Sequence, residues 1–158
     1  MPHPSSSAPA RVMVELHVEV QAFYAFQLPL LEDRRLEEFV LTFTEDGSYA
    51  QVKDGWELAG RENLLAAMSA AIPYYGNKVF RHWFDKFVIE QVGEDEISVV
   101  FRSLVSVTDE AGNVVLEPSS TVEDLLVRRD GRLFTRSRVV RRDVAAPVGA
   151  PAEAGPYS

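Results

Sequence analysis

The run from Val79 to Thr108 constrains this fold more than any other part of the chain. Val79–Gln91 and Ile97–Thr108 are two long stretches rich in aromatic and β-branched residues, separated only by the turn signal Gly93-Glu94-Asp95. Strands this long, joined this tightly, pair antiparallel, and a sheet built from them twists and curls. Asp109-Glu110-Ala111-Gly112-Asn113 is a further turn signal. Thr121–Arg128 and Leu133–Val140 then form a last hairpin around Arg129-Asp130-Gly131-Arg132.

The first half changes period. Met13, Leu16, Val20, Phe23 and Gln27 lie on one helical stripe, flanked by Phe26 and Leu30, and Pro29 is expected to end or kink that helix. A shorter helix follows, with Leu36, Phe39, Val40 and Phe43 on its apolar face. Glu45-Asp46-Gly47 reads as a turn and Ser48–Val52 as a short strand. Gly60 opens a third helix with Leu64, Leu65, Met68, Ala71 and Ile72 on its buried stripe, and Pro73 is expected to stop it. Three helices laid on a curved antiparallel sheet give an α+β fold in the shape of a cone, with a single apolar cavity open at one end.

The 158 residues fit one domain, expected over 11–143, with disordered tails at 1–10 and 144–158. Residues 1–10 lack the basic and apolar regions of a secretory signal, and no apolar run approaches a membrane span, so no membrane partner is expected. Cysteine is absent, which excludes disulfides and thiolate catalysis and suits a cytoplasmic protein. A net charge of −8 disfavours nucleic acid. Seven of the sixteen basic residues (Arg128, Arg129, Arg132, Arg136, Arg138, Arg141, Arg142) gather in the last strands, and read as a solvated face or a subunit contact.

Several segments resemble one family. Tyr24-Ala25-Phe26-Gln27 with Leu30-Leu31-Glu32-Asp33 resembles the first helix and turn of the SnoaL-like (polyketide cyclase-like) branch of the nuclear transport factor 2-like (NTF2-like) superfamily. Phe43-Thr44-Glu45-Asp46-Gly47-Ser48-Tyr49 resembles its F-x-E-D-G signature, and Arg81-His82-Trp83 the R-H-W that opens its long strand. Glu123–Gly131 and Arg138–Asp143 resemble its closing hairpin. The resemblance implies the cone fold, a homodimer paired through the sheet, and a small hydrophobic, polyketide-like substrate. Relatives on this scaffold include cyclases, dehydratases, isomerases, epoxide hydrolases, dioxygenase small subunits and binding proteins, so function must come from the site.

His82 is the first candidate for chemistry, because an imidazole in a pocket can shuttle a proton near neutral pH. Its position also resembles a pocket histidine of scytalone dehydratases. Tyr49 falls where those relatives carry a tyrosine that polarises a carbonyl or holds a water. Asp46 is a candidate base, equally at home in an ordinary turn. Tyr24, on the helix that roofs the cavity, and Trp83, in a wall or a subunit contact, are candidates for substrate binding. Asp124, within an apolar strand, could orient His82, while Arg102, Glu123 and His17 read as outward-facing or packing residues. The dehydratases also use a second histidine and an aspartate late in the first helix; here those regions hold Pro29, Leu30 and Leu31, and Val105, Ser106 and Val107. The chain lacks a Cys pair, an H-x-x-x-H, a Gly-rich phosphate loop and a G-x-S-x-G elbow, leaving proton transfer without metal or cofactor. Three readings stand: a cofactor-independent cyclase, dehydratase or isomerase; a non-catalytic binding or accessory protein; and a small subunit resembling a ring-hydroxylating dioxygenase β chain.

Overall fold

The computed structural model describes residues 10–145, with side chains from Met13 onward. The tails expected at 1–10 and 144–158 lie outside the described residues except for Ala10, Val144 and Ala145.

Helix α1 (Ala10–Glu32) buries Leu16, Val20, Tyr24 and Leu28 at four-residue spacing, together with Gln27 and Leu30. Met13, expected on the same stripe, is exposed. Pro29 does not end the helix. It removes one backbone donor, but the next turn closes through Asp33 N–H to Pro29 O (2.9 Å) and Arg35 N–H to Leu30 O (2.8 Å), and buried Leu30 holds it down. Those three residues beyond the proline carry Glu32 into the structure's interior.

Helix α2 (Leu36–Val40) buries Leu36, Phe39 and Val40. Phe43 belongs instead to strand β1 (Phe43–Gln51), its ring 5.5 Å from that of Phe39. Glu45–Gly47 lie inside β1 rather than in a free turn, within an irregular stretch between Phe43 and Ser48. A short strand β2 (Trp56–Ala59) pairs antiparallel with β1; four residues with an internal charge gave no strand pattern. Helix α3 (Arg61–Tyr75) starts after Gly60 and continues through Pro73 to Gly76, both glycines having positive φ. Only Leu64 of its stripe is fully buried, while Leu65 and Met68 pack partly.

The long strands β3 (Val79–Gln91) and β4 (Glu96–Thr108) are joined as expected. A three-residue β5 (Val114–Leu116) pairs with β4, and β6 (Ser120–Arg129) and β7 (Arg132–Arg142) form the closing hairpin. Asp130-Gly131, both at positive φ, make its two-residue turn. The sheet order is β2-β1-β7-β6-β4-β3, antiparallel except where β1 lies parallel to β7. The main core lies between α1 and this curved sheet, and a second cluster of Leu30, Phe39, Val40, Phe43 and Leu64 joins the helices.

Two irregularities decide which side chains face inward. In β3 the register shifts between Asp85 and Val88, where Lys86 has φ 58 and donates its N–H to Asp85 Oδ1 (2.7 Å). Phe80, His82 and Phe84 point inward before the bulge, and Phe87 and Ile89 after it. In β7 the pairing skips Arg136, so that Leu133 and Thr135, then Arg138 and Val140, are buried.

Candidate active site

Two lobes of one cavity open between α1, α3 and the sheet. The outer lobe, about 280 Å³, is walled by Arg34, Trp56, Leu58, Ala71, Ile72 and Phe80, among others. The inner lobe, about 160 Å³, reaches Phe84, Ser103, Ser120, Val122, Arg138 and Val140. Leu31, Tyr49, Gln51, Met68, Tyr75 and His82 line both, so the two spaces adjoin. A more open groove of about 520 Å³ lies elsewhere, lined by Phe23, Phe26, Leu41 and Phe134, and holds none of the candidate residues. Size alone would favour that groove; the convergence of His82, Tyr49 and Gln51 on both lobes favours the two-lobed cavity.

His82 is central. Its ring lies between Phe80 and Phe84, with centroids 5.9 and 6.4 Å away, and its side chain is 19% exposed. Glu32, at the end of α1, stands behind it. Glu32 Oε1 accepts the His82 backbone N–H at 2.6 Å and lies 3.6 Å from His82 Nδ1, just beyond hydrogen-bond length. Burial pushes the Glu32 carboxyl up, but the contacts from His82 and the charges of His82 and Arg81 together outweigh it, so the group titrates below its usual value. A carboxylate beside Nδ1 leaves the other ring nitrogen to serve the cavity. Glu32 was missed because a charge after a proline, at a helix end, resembles an ordinary solvated terminus.

Tyr49 faces the same space from β1, its ring stacked on Trp56 at 5.6 Å. Burial raises its phenol pKa, only partly offset by the charge of Arg138, so it remains a neutral donor. Among the described residues, three buried side-chain polar atoms lack a hydrogen-bond partner: Arg34 Nε, Gln51 Oε1 and His82 Nδ1. All three belong to walls of the outer lobe. Such atoms are uncommon in native interiors.

The remaining candidates fall elsewhere. Asp46 is exposed, accepts from Thr44 Oγ1 (2.8 Å), and is held low first by that bond; it is not in the cavity. Trp83 is 60% exposed on the outer sheet face and donates Nε1–H to Ser106 Oγ (2.9 Å). Tyr24 and Asp124 are buried behind the cavity. Tyr24 donates its hydroxyl to Asp124 Oδ2 (2.8 Å), and burial, then the Asp124 charge, push its pKa well up. Asp124 orients Arg138 rather than His82: Arg138 Nε donates to Oδ1 (2.9 Å) and Nη2 to Oδ2 (2.7 Å). Arg138 is thus buried and paired, not part of a solvated arginine face. Its Nη2 also donates to Gln27 Oε1 (2.7 Å), and Gln27 Nε2 donates to Thr42 and Thr135 (2.8 and 3.0 Å). Burial works against the Arg138 charge, but Asp124 outweighs it and keeps the guanidinium protonated. Glu123 is exposed near Arg141, and Arg102 donates to Thr121.

Among the described residues, no group of three His, Cys, Asp or Glu is arranged to hold a metal ion, and no helix is long and apolar enough to cross a membrane.

Known structures share this architecture. Aln2 from a Streptomyces species is 32% identical, with 90% of this chain and 93% of that chain covered and a TM-score of 0.75. A protein from Catenulispora acidiphila solved in complex with S-DNPA is also 32% identical, with 82% and 94% covered and a TM-score of 0.73. An NTF2-like protein with a cystatin-like fold from Novosphingobium aromaticivorans shares the fold at 20% identity, with 90% and 91% covered and a TM-score of 0.67. No curated protein matches the chain. The sequence matches the SnoaL-like domain over residues 12–139, and the chain belongs to that family.

Proposed function

We propose that this protein is a cofactor-independent enzyme that moves a proton beside a carbonyl of a polyketide-like aromatic or polycyclic intermediate, in a cyclisation, dehydration or isomerisation. The observation that carries this reading is His82, backed by Glu32 and facing an apolar cavity that Tyr49 shares. Glu32 anchors the His82 backbone N–H, and its charge 3.6 Å from Nδ1 favours the imidazolium formed when His82 accepts a proton. Tyr49, kept neutral by burial, donates to the substrate oxygen. An inner lobe of about 160 Å³ is the size of a space that takes one aromatic ring, since a cavity of about 150 Å³ holds benzene. Further rings extend into the outer lobe. The related Catenulispora protein, solved with S-DNPA, supports a small-molecule ligand.

The protein works as a homodimer in the cytoplasm. Val79, Trp83 and Val88 leave apolar surface on the outer sheet face, and a second copy would cover it.

The test is a thermal-shift screen of aromatic and polycyclic ketones followed by turnover assays on the compounds that bind. His82→Ala should lower turnover about 10²–10⁴-fold. Ligand binding with wild-type turnover in that variant would overturn the assignment. Binding without turnover in either protein would make this a binding protein.

A further inference from the structure

The inner lobe ends on a charge that the proton-transfer scheme above does not use. Arg138 is 4% exposed, with its guanidinium carbon 5.7 Å from the Phe84 and Phe43 ring centroids. Asp124 takes two of its donors in a fork, and Gln27 takes a further one. No hydrogen bond among the described residues uses Nη1, and Nη1 is not among the buried atoms left without a partner. Arg138 lines the inner lobe, and Nη1 is the guanidinium nitrogen that those bonds leave over. A buried ion pair adds little stability compared with apolar packing. A guanidinium held through Nε and Nη2, on a lobe it shares with Ser103, Ser120, Glu117 and Arg142, is a preorganised donor for a negative oxygen.

We propose that Arg138 binds the ionised oxygen of the substrate at the inner end of the cavity, so that the substrate class is a ketone or phenol that enters oxygen first. This deepens the proton-transfer reading and rests on it for the catalytic step. The C–H bond beside the carbonyl breaks and its proton goes to the cavity-facing nitrogen of His82. The C–H electron pair becomes the C=C bond of the enolate, and the carbonyl π pair moves to oxygen, where Nη1 holds the charge. Asp124 does not touch the substrate; it is a positioning residue that aims Arg138.

The test needs no natural substrate. 4-Nitrophenol, whose phenolate is yellow, mimics the enolate, and 4-nitroanisole is its non-ionisable partner. Bound to the wild-type protein, 4-nitrophenol should ionise about one pH unit lower than it does free, a tenfold preference for the anion. In the double variant Arg138→Gln/Asp124→Asn, which removes both charges together, the preference should vanish while 4-nitroanisole still binds within about twofold. A neutral phenol spectrum on the wild-type protein overturns the proposal, as does a preference that survives in the double variant. Arg142→Gln, which leaves Arg138 in place in the same lobe, should keep the preference, and its loss there overturns the proposal whether or not the double variant folds. The anion preference holds in His82→Ala whether or not His82 is the base, so the two readings fail separately. Binding of neither probe overturns the Arg138 proposal and leaves the proton-transfer reading to its own ketone assay.

Discussion

Asp124→Ala isolates the energetics of the buried polar cluster. The Asp124 side chain is fully buried and accepts three hydrogen bonds, two from Arg138 and one from Tyr24. Removing it leaves a guanidinium with 4% exposure and no counter-charge, and a buried phenol with no acceptor. Breaking a buried pair from one side costs about 3–5 kcal/mol. The orphaned Tyr24 hydroxyl overlaps that term, because water admitted by the truncation can serve both groups, so we expect a loss of about 4 kcal/mol. For a chain of this size each kcal/mol lowers Tm by about 2–4 °C, which gives a fall of roughly 8–16 °C. Urea unfolding followed by circular dichroism measures the free energy directly. Arg138→Gln/Asp124→Asn, in which neither charge remains, should recover at least half of the loss. A single variant less than about 1 kcal/mol below wild type, or a double variant equal to the sum of the two singles, would refute a coupled, desolvated ion pair.

Two further outcomes follow from the geometry. Glu32 titrates below its unfolded value, so it stabilises the fold above about pH 4.3, and that stability is lost as pH falls through the lower folded value; Glu32→Gln should therefore flatten the acid limb of a Tm-against-pH curve, and an unchanged slope would sink the Glu32–His82 pairing. If the proposed homodimer pairs through the outer face, Trp83→Arg should make it a monomer in sedimentation velocity while ketone binding persists, because Trp83 does not line the cavity; a variant still dimeric would move the interface elsewhere.

The sequence was most readable where period and punctuation agreed. The limits of β3 follow directly from its aromatic and β-branched run, and Phe80, His82 and Phe84 share a face by simple alternation. Reading failed where backbone irregularity intervened. By alternation from Leu133 and Thr135, Ser137 should face inward and Arg138 outward. The shift at Arg136 reverses this, turning a residue that reads as solvated into a buried wall of the cavity. Glu32 was hidden differently. Treating Pro29 as a terminator discards the last turn of α1, yet that turn brings a carboxylate to His82, fifty residues away. Asp46 and Trp83 belong to motifs of the family, but β1 and β3 turn both side chains away from the cavity. A motif identifies a fold more securely than it identifies which side chains touch a ligand.

The contacts of α1 with β6 and β7 also govern how the chain comes into being. Glu19 meets Arg128, Tyr24 meets Asp124, and Gln27 meets Thr135, separations of 109, 100 and 108 residues. At a synthesis rate of about 5–20 residues per second, the partners of α1 emerge roughly 5–20 s after the helix does. Until β6 and β7 arrive, the stripe of Leu16, Val20 and Leu28 has only the β3–β4 hairpin to pack on, through Ile89, Ile97, Val99 and Phe101. The cavity cannot exist in any nascent form, because its inner wall is among the last strands made. Closure of the sheet, maturation of the ion pair and creation of the binding site are therefore a single late event on the ribosome.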